Sequence, residues 1–266
     1  METILQIKDL SISHFSIYRE EKSIIEEISL DIFKNEIFCL VGESGSGKTT
    51  LALSILKLLP ISFKITGGSI LFEGIDILKT DGRAIQNIRG KKISMIFQEP
   101  SAYLNPLMTV GEQINESMLN KKNETGKMEK TVKILKEVGL SENHYFSYPH
   151  QLSGGMQQRV MIAMAVINKP MLVLADEPTT ALDILTIHQI IHLLKDLQKK
   201  YDMSIFFITH DISLGLEIAD RIGIVYKGRI LEVFQPSKDK EPSHPYSKRL
   251  FNSIIGKYKK GERIKV

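Results

Sequence analysis

Apolar positions alternate loosely over residues 3–13, at Ile4, Leu5, Ile7, Leu10 and Ile12, and again from Ile24 to Phe33. A period of two predicts strands, here joined through a polar connection over 14–23. Lys34-Asn35-Glu36 reads as a turn, and Ile37 to Val41 is an unbroken apolar run, the mark of a strand buried on both faces. A helix is predicted over Lys48 to Leu59, stopped by Pro60, and Gly67-Gly68 is expected to open a strand over Ser69 to Phe72. Ile93 to Phe97 predicts one more short buried strand. From Glu99 to about Ala165 strong β runs give way to helical spacing at 109–120, 127–138 and 154–168. Strand character returns at Met171 to Ala175, Ser204 to Thr209, 221–226 and 229–234, with helices between them at 184–200 and 212–219. Strands alternating with helices imply an α/β fold with a mostly parallel sheet covered on both faces.

The first chemistry sits where the buried strand ends. Gly42-Glu43-Ser44-Gly45-Ser46-Gly47-Lys48-Thr49, followed by Thr50, fits G-x-x-x-x-G-K-[ST] in full, after a strand and before a helix. Glycines let backbone N–H groups turn inward around phosphate oxygens, and the helix start adds unpaired N–H groups and a positive dipole end. Lys48 can reach β and γ phosphates, and the Thr49 hydroxyl can ligate Mg²⁺. A second apolar strand, Met171 to Ala175, runs into Asp176 and Glu177. Neighbours on a strand point to opposite sides, so the two carboxylates are expected to divide the work. One can hold the Mg²⁺ shell and the other can polarise an attacking water. Leu152-Ser153-Gly154-Gly155-Met156 then opens a helix with a natural N-cap and free N–H groups. Alone it is an ordinary Ser-Gly cap. Beside a complete phosphate loop it reads as a second anion nest, serving the nucleotide held by another molecule.

Composition changes this picture little. The 266 residues are 42% hydrophobic and 25% charged, which excludes collagen-like, mainly disordered and disulfide-scaffold chains. The single cysteine, Cys39, lies in an apolar run and is expected in the core; a lone cysteine suits a reducing compartment. The net charge of +4 equals that of the last eleven residues, so the body is neutral and no nucleic-acid partner is expected. No targeting segment is predicted at the N-terminus and no apolar stretch approaches a membrane span. His188 and His192 have i, i+4 spacing but no third ligand nearby, and both are expected on a helix surface or in packing.

In order along the chain, GESGSGKTT, Gln98, LSGGM, LVLADEPTTALD and Thr209-His210-Asp211 resemble the motif set of ABC-type ATPases over about residues 3–235. More narrowly, MIFQEP…LNPLMTVGEQI, YPHQLSGGMQQRVMIAMA and HPYSKRL look like the ATP-binding subunits of peptide/nickel uptake transporters. The resemblance implies a P-loop NTPase core with an N-terminal antiparallel β layer and an inserted helical subdomain. The expected division is 1–98 and 166–240 as the nucleotide-binding core, 99–165 as the helical signature subdomain, and 241–266 as a C-terminal helix and basic tail. It implies ATP and Mg²⁺ as cofactors, Glu177 as catalytic base, Asp176 as the Mg²⁺ residue, and Gln98 on Mg²⁺ and the attacking water. His210 is implied on the γ-phosphate and Asp183 in coupling two sites across a dimer. Ser153, Gly154 and Gly155 are implied over the partner's ATP, and Phe15, with Tyr18 as the other aromatic, on adenine.

The partners so implied are transmembrane permease subunits, a second ABC ATPase subunit in a hetero- or homodimer, and indirectly an extracytoplasmic solute-binding protein. The chain is then expected at the cytoplasmic face of the cell membrane. Leu104, Leu107 and Met108 are expected to form an apolar patch that docks the permease. The short stretch after HPY, without a cysteine cluster, tilts the cargo toward nickel or a metal chelate over di- or oligopeptides. A soluble ABC ATPase of translation or DNA repair is the rival reading.

Overall fold

The computed structural model describes residues 2–16, 21–119, 124–239 and 241–254; Tyr18 and the basic tail lie outside the described residues. The chain divides into two compact units, 1–81 with 204–266, and 82–203.

The first unit begins with β1 (Thr3–Phe15) and β2 (Glu21–Phe33), an antiparallel pair in register from Thr3 opposite Phe33 to Phe15 opposite Glu21. β3 (Ile37–Val41) is buried along its whole length, as the apolar run requires. α1 (Lys48–Ile55) ends a turn earlier than Pro60 predicts. Lys57 adopts φ 51°, the Leu58 N–H donates to the Leu53 carbonyl and the Lys57 N–H to that of Ser54. Those two bonds close the helix before the proline is reached. β4 (Phe63–Phe72) is longer than the strand expected over Ser69 to Phe72. Gly67-Gly68 does not open it but sits inside it, at a register break against β1. Gly68 has φ +85°, and a Cβ there would stand 2.4 Å from the Lys8 carbonyl oxygen, so the glycine marks a bulge between closely apposed backbones. With β5 (Ile75–Asp76) these strands form an antiparallel sheet in the order β2-β1-β4-β5, the expected N-terminal layer.

The second unit carries α2 (Gly82–Gln86), β6 (Ile93–Ile96), α3 (Pro100–Tyr103), α4 (Val110–Ser117), α5 (Glu124–Glu137), α6 (Gly154–Val166), β7 (Leu172–Asp176) and α7 (Ile184–Tyr201). β6 and β7 pair in parallel, Ile96 opposite Ala175, so both strands end at the same edge. α4 starts at a capping box in which Thr109 and Glu112 satisfy each other's backbone N–H groups. Leu104 is 4% exposed and Leu107 86% exposed. Leu104 is therefore core and not part of an apolar surface patch: its N–H donates to the Pro100 carbonyl and closes α3, and its side chain is buried. Leu107 stays outside.

The chain returns to the first unit with β8 (Ser204–Thr209), α8 (Ile212–Ile218), β9 (Arg221–Tyr226), β10 (Arg229–Phe234) and α9 (Pro245–Ile254). β3 lies between β8 and β9, parallel to both, and β10 closes on β9 as a hairpin. Cys39, in the middle of β3, is fully buried, and burial, then Asp211, pushes its thiol well above the usual range. It is a core residue. Among the described residues no helix is long and apolar enough to cross a membrane.

Candidate nucleotide site

Parallel pairing in the first unit sets two of the expected residues side by side. Val41 is opposite Thr209, so Gly42 and His210 leave neighbouring strands at the same edge. Thr209 Oγ1 accepts from the Asp211 N–H at 3.0 Å, and Asp211 in turn caps α8 by accepting from Ser213 N–H at 2.8 Å. That turn fixes the backbone on both sides of His210, whose side chain is exposed.

The loop over Gly42–Thr49 has a packed floor and an open mouth. A Cβ at Gly42 would lie 2.3 Å from the Val225 carbonyl oxygen, so no larger residue fits there. Gly45 and Gly47 have φ +78° and +98°, the left-handed region that lets successive N–H groups converge. Glu43, Ser44, Gly45 and Thr49 are exposed and Thr50 is half-buried. Lys48 is buried, and its Nζ donates to the carbonyls of Gly42 and Glu43, both at 2.8 Å. α1 starts at Gly47 with no side-chain cap. Ser46 Oγ is buried and has no hydrogen-bond partner among the described residues. A buried hydroxyl left unmatched costs free energy, and beside an uncapped helix start it suits an incoming phosphate oxygen. The loop thus fits a nucleotide's phosphates on its own geometry. Phe15 is half-buried at the end of β1, with Lys64 Nζ 5.1 Å from its ring centroid.

In the second unit, Gln98, Asp176 and Glu177 lie at the shared edge of β6 and β7. Gln98 follows β6 and is half-buried, and Asp176, 3% exposed, ends β7. Alternation along the strand does not govern the next residue. Glu177 turns to φ 44°, out of the extended region, and its Oε2 accepts from Thr180 Oγ1 at 2.9 Å. The two acids are separated by this kink: one buried in the strand, the other half-buried and aimed by a threonine.

A further kink, Ala181 at φ 62°, leads to Asp183, the N-cap of α7, which accepts from Thr186 N–H at 3.0 Å and Thr186 Oγ1 at 2.6 Å. Those two bonds hold the Asp183 carboxyl below its ordinary range. The cap also sets the signature helix. A Cβ on Gly155 would sit 2.6 Å from Thr186 Cγ2, so the start of α6 is wedged against the start of α7. Gly154 is exposed, with only Leu182 Cδ2 at 3.6 Å from a would-be Cβ. Ser153 caps α6, its Oγ accepting from Met156 N–H at 3.4 Å.

A family model described as "ABC transporter" matches residues 25–180. The chain belongs to the ABC transporter family. It is similar to the dipeptide transport ATP-binding protein DppD of Bacillus subtilis, with 41% identity over 261 residues, 96% of this chain and 77% of that protein. It is similar to the oligopeptide transport ATP-binding protein OppD of the same organism, with 44% identity over 259 residues, 94% of this chain and 72% of that protein. Among solved structures, the dimeric post-hydrolysis cassette MJ0796 bound to ADP and Pi superposes with TM-score 0.77 at 30% identity, over 87% of this chain and 98% of that one. The Clostridium perfringens cassette cbiO1, part of the cbiONQ transporter complex, gives TM-score 0.79 at 25% identity, over 96% and 95% of the two chains.

Three residues of this ABC cassette escape motif reading. Thr180 and Thr186 stand within DEPTTALD and the helix after it, but their importance lies in hydrogen bonds that spacing does not reveal. Tyr246 is the third. The HPY word flagged it, and only the fold shows what its hydroxyl meets. His188 and His192 are exposed on α7, and no group of three His, Cys, Asp or Glu residues able to hold a metal occurs among the described residues.

Proposed function

We propose that this chain is the ATP-hydrolysing subunit of an importer of di- or oligopeptides, one of two cassettes attached to transmembrane permease subunits at the cytoplasmic face of the membrane. The observation that carries the ATPase reading is the Gly42–Thr49 loop, with its buried Lys48, unmatched Ser46 hydroxyl and uncapped helix start. The peptide names of relatives matched over more than nine-tenths of the chain support the cargo class and favour it over nickel. They also weigh against a soluble ATPase of translation or DNA repair. A solute-binding protein acts on the far side of the membrane and meets the permeases, not this chain.

The roles proposed for the site residues are those the family resemblance implies, and the chemistry of each group supports them. Backbone N–H groups from Gly42 to Gly47 and the Lys48 ammonium hold the β and γ phosphates. Thr49, Gln98 and Asp176 are the residues that would hold Mg²⁺, and the ion would supply neutralisation of phosphate charge. Glu177 takes the proton of the attacking water, and Thr180 keeps its carboxylate aimed. Gln98 orients that water and His210 donates to the γ-phosphate. Phe15 offers a ring face to adenine. Ser153, Gly154 and Gly155 present a second set of N–H groups to the ATP of the partner cassette, and Asp183 couples the paired sites. Leu107 and Met108, without Leu104, remain as the apolar part of the permease-docking surface. Closure of the pair on ATP drives the permeases, and product loss reopens it.

The test is transport by the chain assembled with its permeases and binding protein in proteoliposomes. A labelled dipeptide is taken up with ATP, and Lys48→Ala reduces uptake to background. Uptake of nickel in place of peptide overturns the cargo and leaves the ATPase reading standing.

A further inference from the structure

The C-terminal helix of the first unit is built onto the phosphate loop. Glu232 on β10 anchors its start: Glu232 Oε2 accepts from Ser243 N–H at 2.8 Å and Ser243 Oγ at 2.7 Å, and both its oxygens lie 3.2 Å from the His244 N–H. The His244 carbonyl accepts from Lys248 N–H at 2.9 Å, the first turn of α9, with Pro245 in the first helical position where its missing N–H costs nothing. His244 Nδ1 accepts from Tyr246 N–H at 3.1 Å. Backbone and side-chain bonds therefore fix Tyr246 on both sides. Its ring rests on Tyr226 at the end of β9, centroids 4.5 Å apart. From there the phenol reaches the loop, and Tyr246 Oη donates to Glu43 Oε1 at 2.9 Å.

Glu43 is the second residue of the phosphate loop. Its carbonyl accepts from Lys48 Nζ at 2.8 Å and from Ser46 N–H at 3.2 Å. One residue thus joins the C-terminal helix, through its side chain, to the loop's lysine, through its backbone. Its carboxylate is also the one negative side chain within Gly42–Thr49.

We propose that Tyr246 is a positioning residue for nucleotide binding: it holds the Glu43 carboxylate against α9, away from the loop mouth. The inference rests on reading Gly42–Thr49 as the ATP phosphate site. Released from the phenol, the carboxylate is free to swing over an opening that must receive a polyanion, and like charges repel. Burial, then the neighbouring Glu43, pushes the Tyr246 phenol well above its ordinary range, so it stays protonated and donates throughout the working pH span.

Tyr246→Phe removes the hydroxyl and keeps the ring on Tyr226. We expect the Kd for MgATP to rise by about three- to tenfold, the scale of one partly exposed hydrogen bond to a charged group. We expect kcat at saturating ATP to stay within about twofold, since the interaction acts on binding. The deciding variant is E43Q. In that background Tyr246→Phe should change the Kd no further, because the charge it restrains is gone, whereas a role confined to packing α9 would weaken binding equally in both backgrounds. An unchanged Kd in Tyr246→Phe, or an equal loss with and without E43Q, overturns the proposal. Lys48→Ala separates the two failures: it should abolish ATP binding, and if it does not, the loop reading falls and takes the Tyr246 role with it.

Discussion

The two glycine-rich helix starts are built differently. At the start of α1 the cap is Gly47 in the left-handed region, with no side chain on the exposed N–H groups, a buried lysine folded into the loop and an unmatched serine hydroxyl. At the start of α6, Ser153 already caps Met156, Gly155 is wedged against Thr186, and the exposed Gly154 is the open position. The first nest is complete on its own and carries its own cation. The second has no lysine of its own in Ser153–Met156 and presents N–H groups and a dipole alone. A site with a buried cation can hold a polyanion by itself; one with a capped helix start can only add to a phosphate held elsewhere. On the proposed reading, this difference fits a chain with two phosphate-binding nests and Mg²⁺ chemistry at only the first.

The sharpest way to separate holding from hydrolysing is Glu177→Gln. The substitution keeps shape and the φ 44° kink's demands unchanged and removes the base. ATP turnover should fall by about 10²–10⁴-fold, the usual loss for one general base, while MgATP affinity stays near wild type. Phosphate-release kinetics beside an equilibrium binding titration check both halves. Activity within a few-fold of wild type removes Glu177 from the base role.

Mixing two damaged cassettes tests whether the second nest belongs to the partner's nucleotide. Lys48→Ala disables the first nest and leaves the second; Gly154→Asp does the reverse. Gly154 is the right position, because a Cβ there meets only ordinary contact, whereas one at Gly155 would collide with Thr186 and confound function with folding. Each variant paired with itself has two damaged sites and should be nearly inactive. A mixed pair has one site built from two undamaged halves and should recover up to about half the activity. The mutations are split between the two proteins if this chain pairs only with a related cassette. No recovery where mixed pairs demonstrably form, or full activity of Gly154→Asp paired with itself, breaks the comparison.

The same contrast shows how far sequence reaches. The phosphate loop was legible because its motif positions answer local demands: Gly45 and Gly47 for positive φ, Lys48 for phosphate charge, a strand before and a helix after. The strands β3, β7 and β8 were legible because burial on both faces forces continuous apolar runs. Gly67-Gly68 misled for a physical reason. Glycine marks both the edge of a strand and a bulge within one, and only the register against β1 tells them apart. Leu104 misled because an apolar residue in a proline-bounded turn looks the same whether it faces in or out. Tyr246 meets Glu43 from 203 positions away in the chain, and Thr186 meets Gly155 between two helix starts; no local period encodes either contact.

The smallest expected effect probes what seats the second nest. Asp183 caps α7 through Thr186, and Thr186 is the residue wedged under Gly155. Hydrogen bonds from the Thr186 hydroxyl, then from its N–H, favour the ionised carboxyl and lower its pKa in the folded chain from the ordinary 3.8. A carboxyl depressed on folding adds stability that is present above its unfolded value and is lost as pH falls through its folded one. The group is exposed, so solvent screens it and the gain is small. Asp183→Ala should therefore lower the nucleotide-free melting temperature by about one to three degrees near neutral pH, as loss of a cap does in a domain of this size. The gap should narrow as pH falls below the ordinary carboxylate range, where the wild-type cap is protonated as well. Asp183→Asn, which keeps an accepting oxygen without the charge, should retain most of the stability and lose the pH dependence of the gap. Melting curves of the three proteins across the acid range decide it. A gap that stays constant to the lowest pH at which the chain remains folded would mean that the cap's charge contributes nothing, and that the second nest is seated by packing against Thr186 alone.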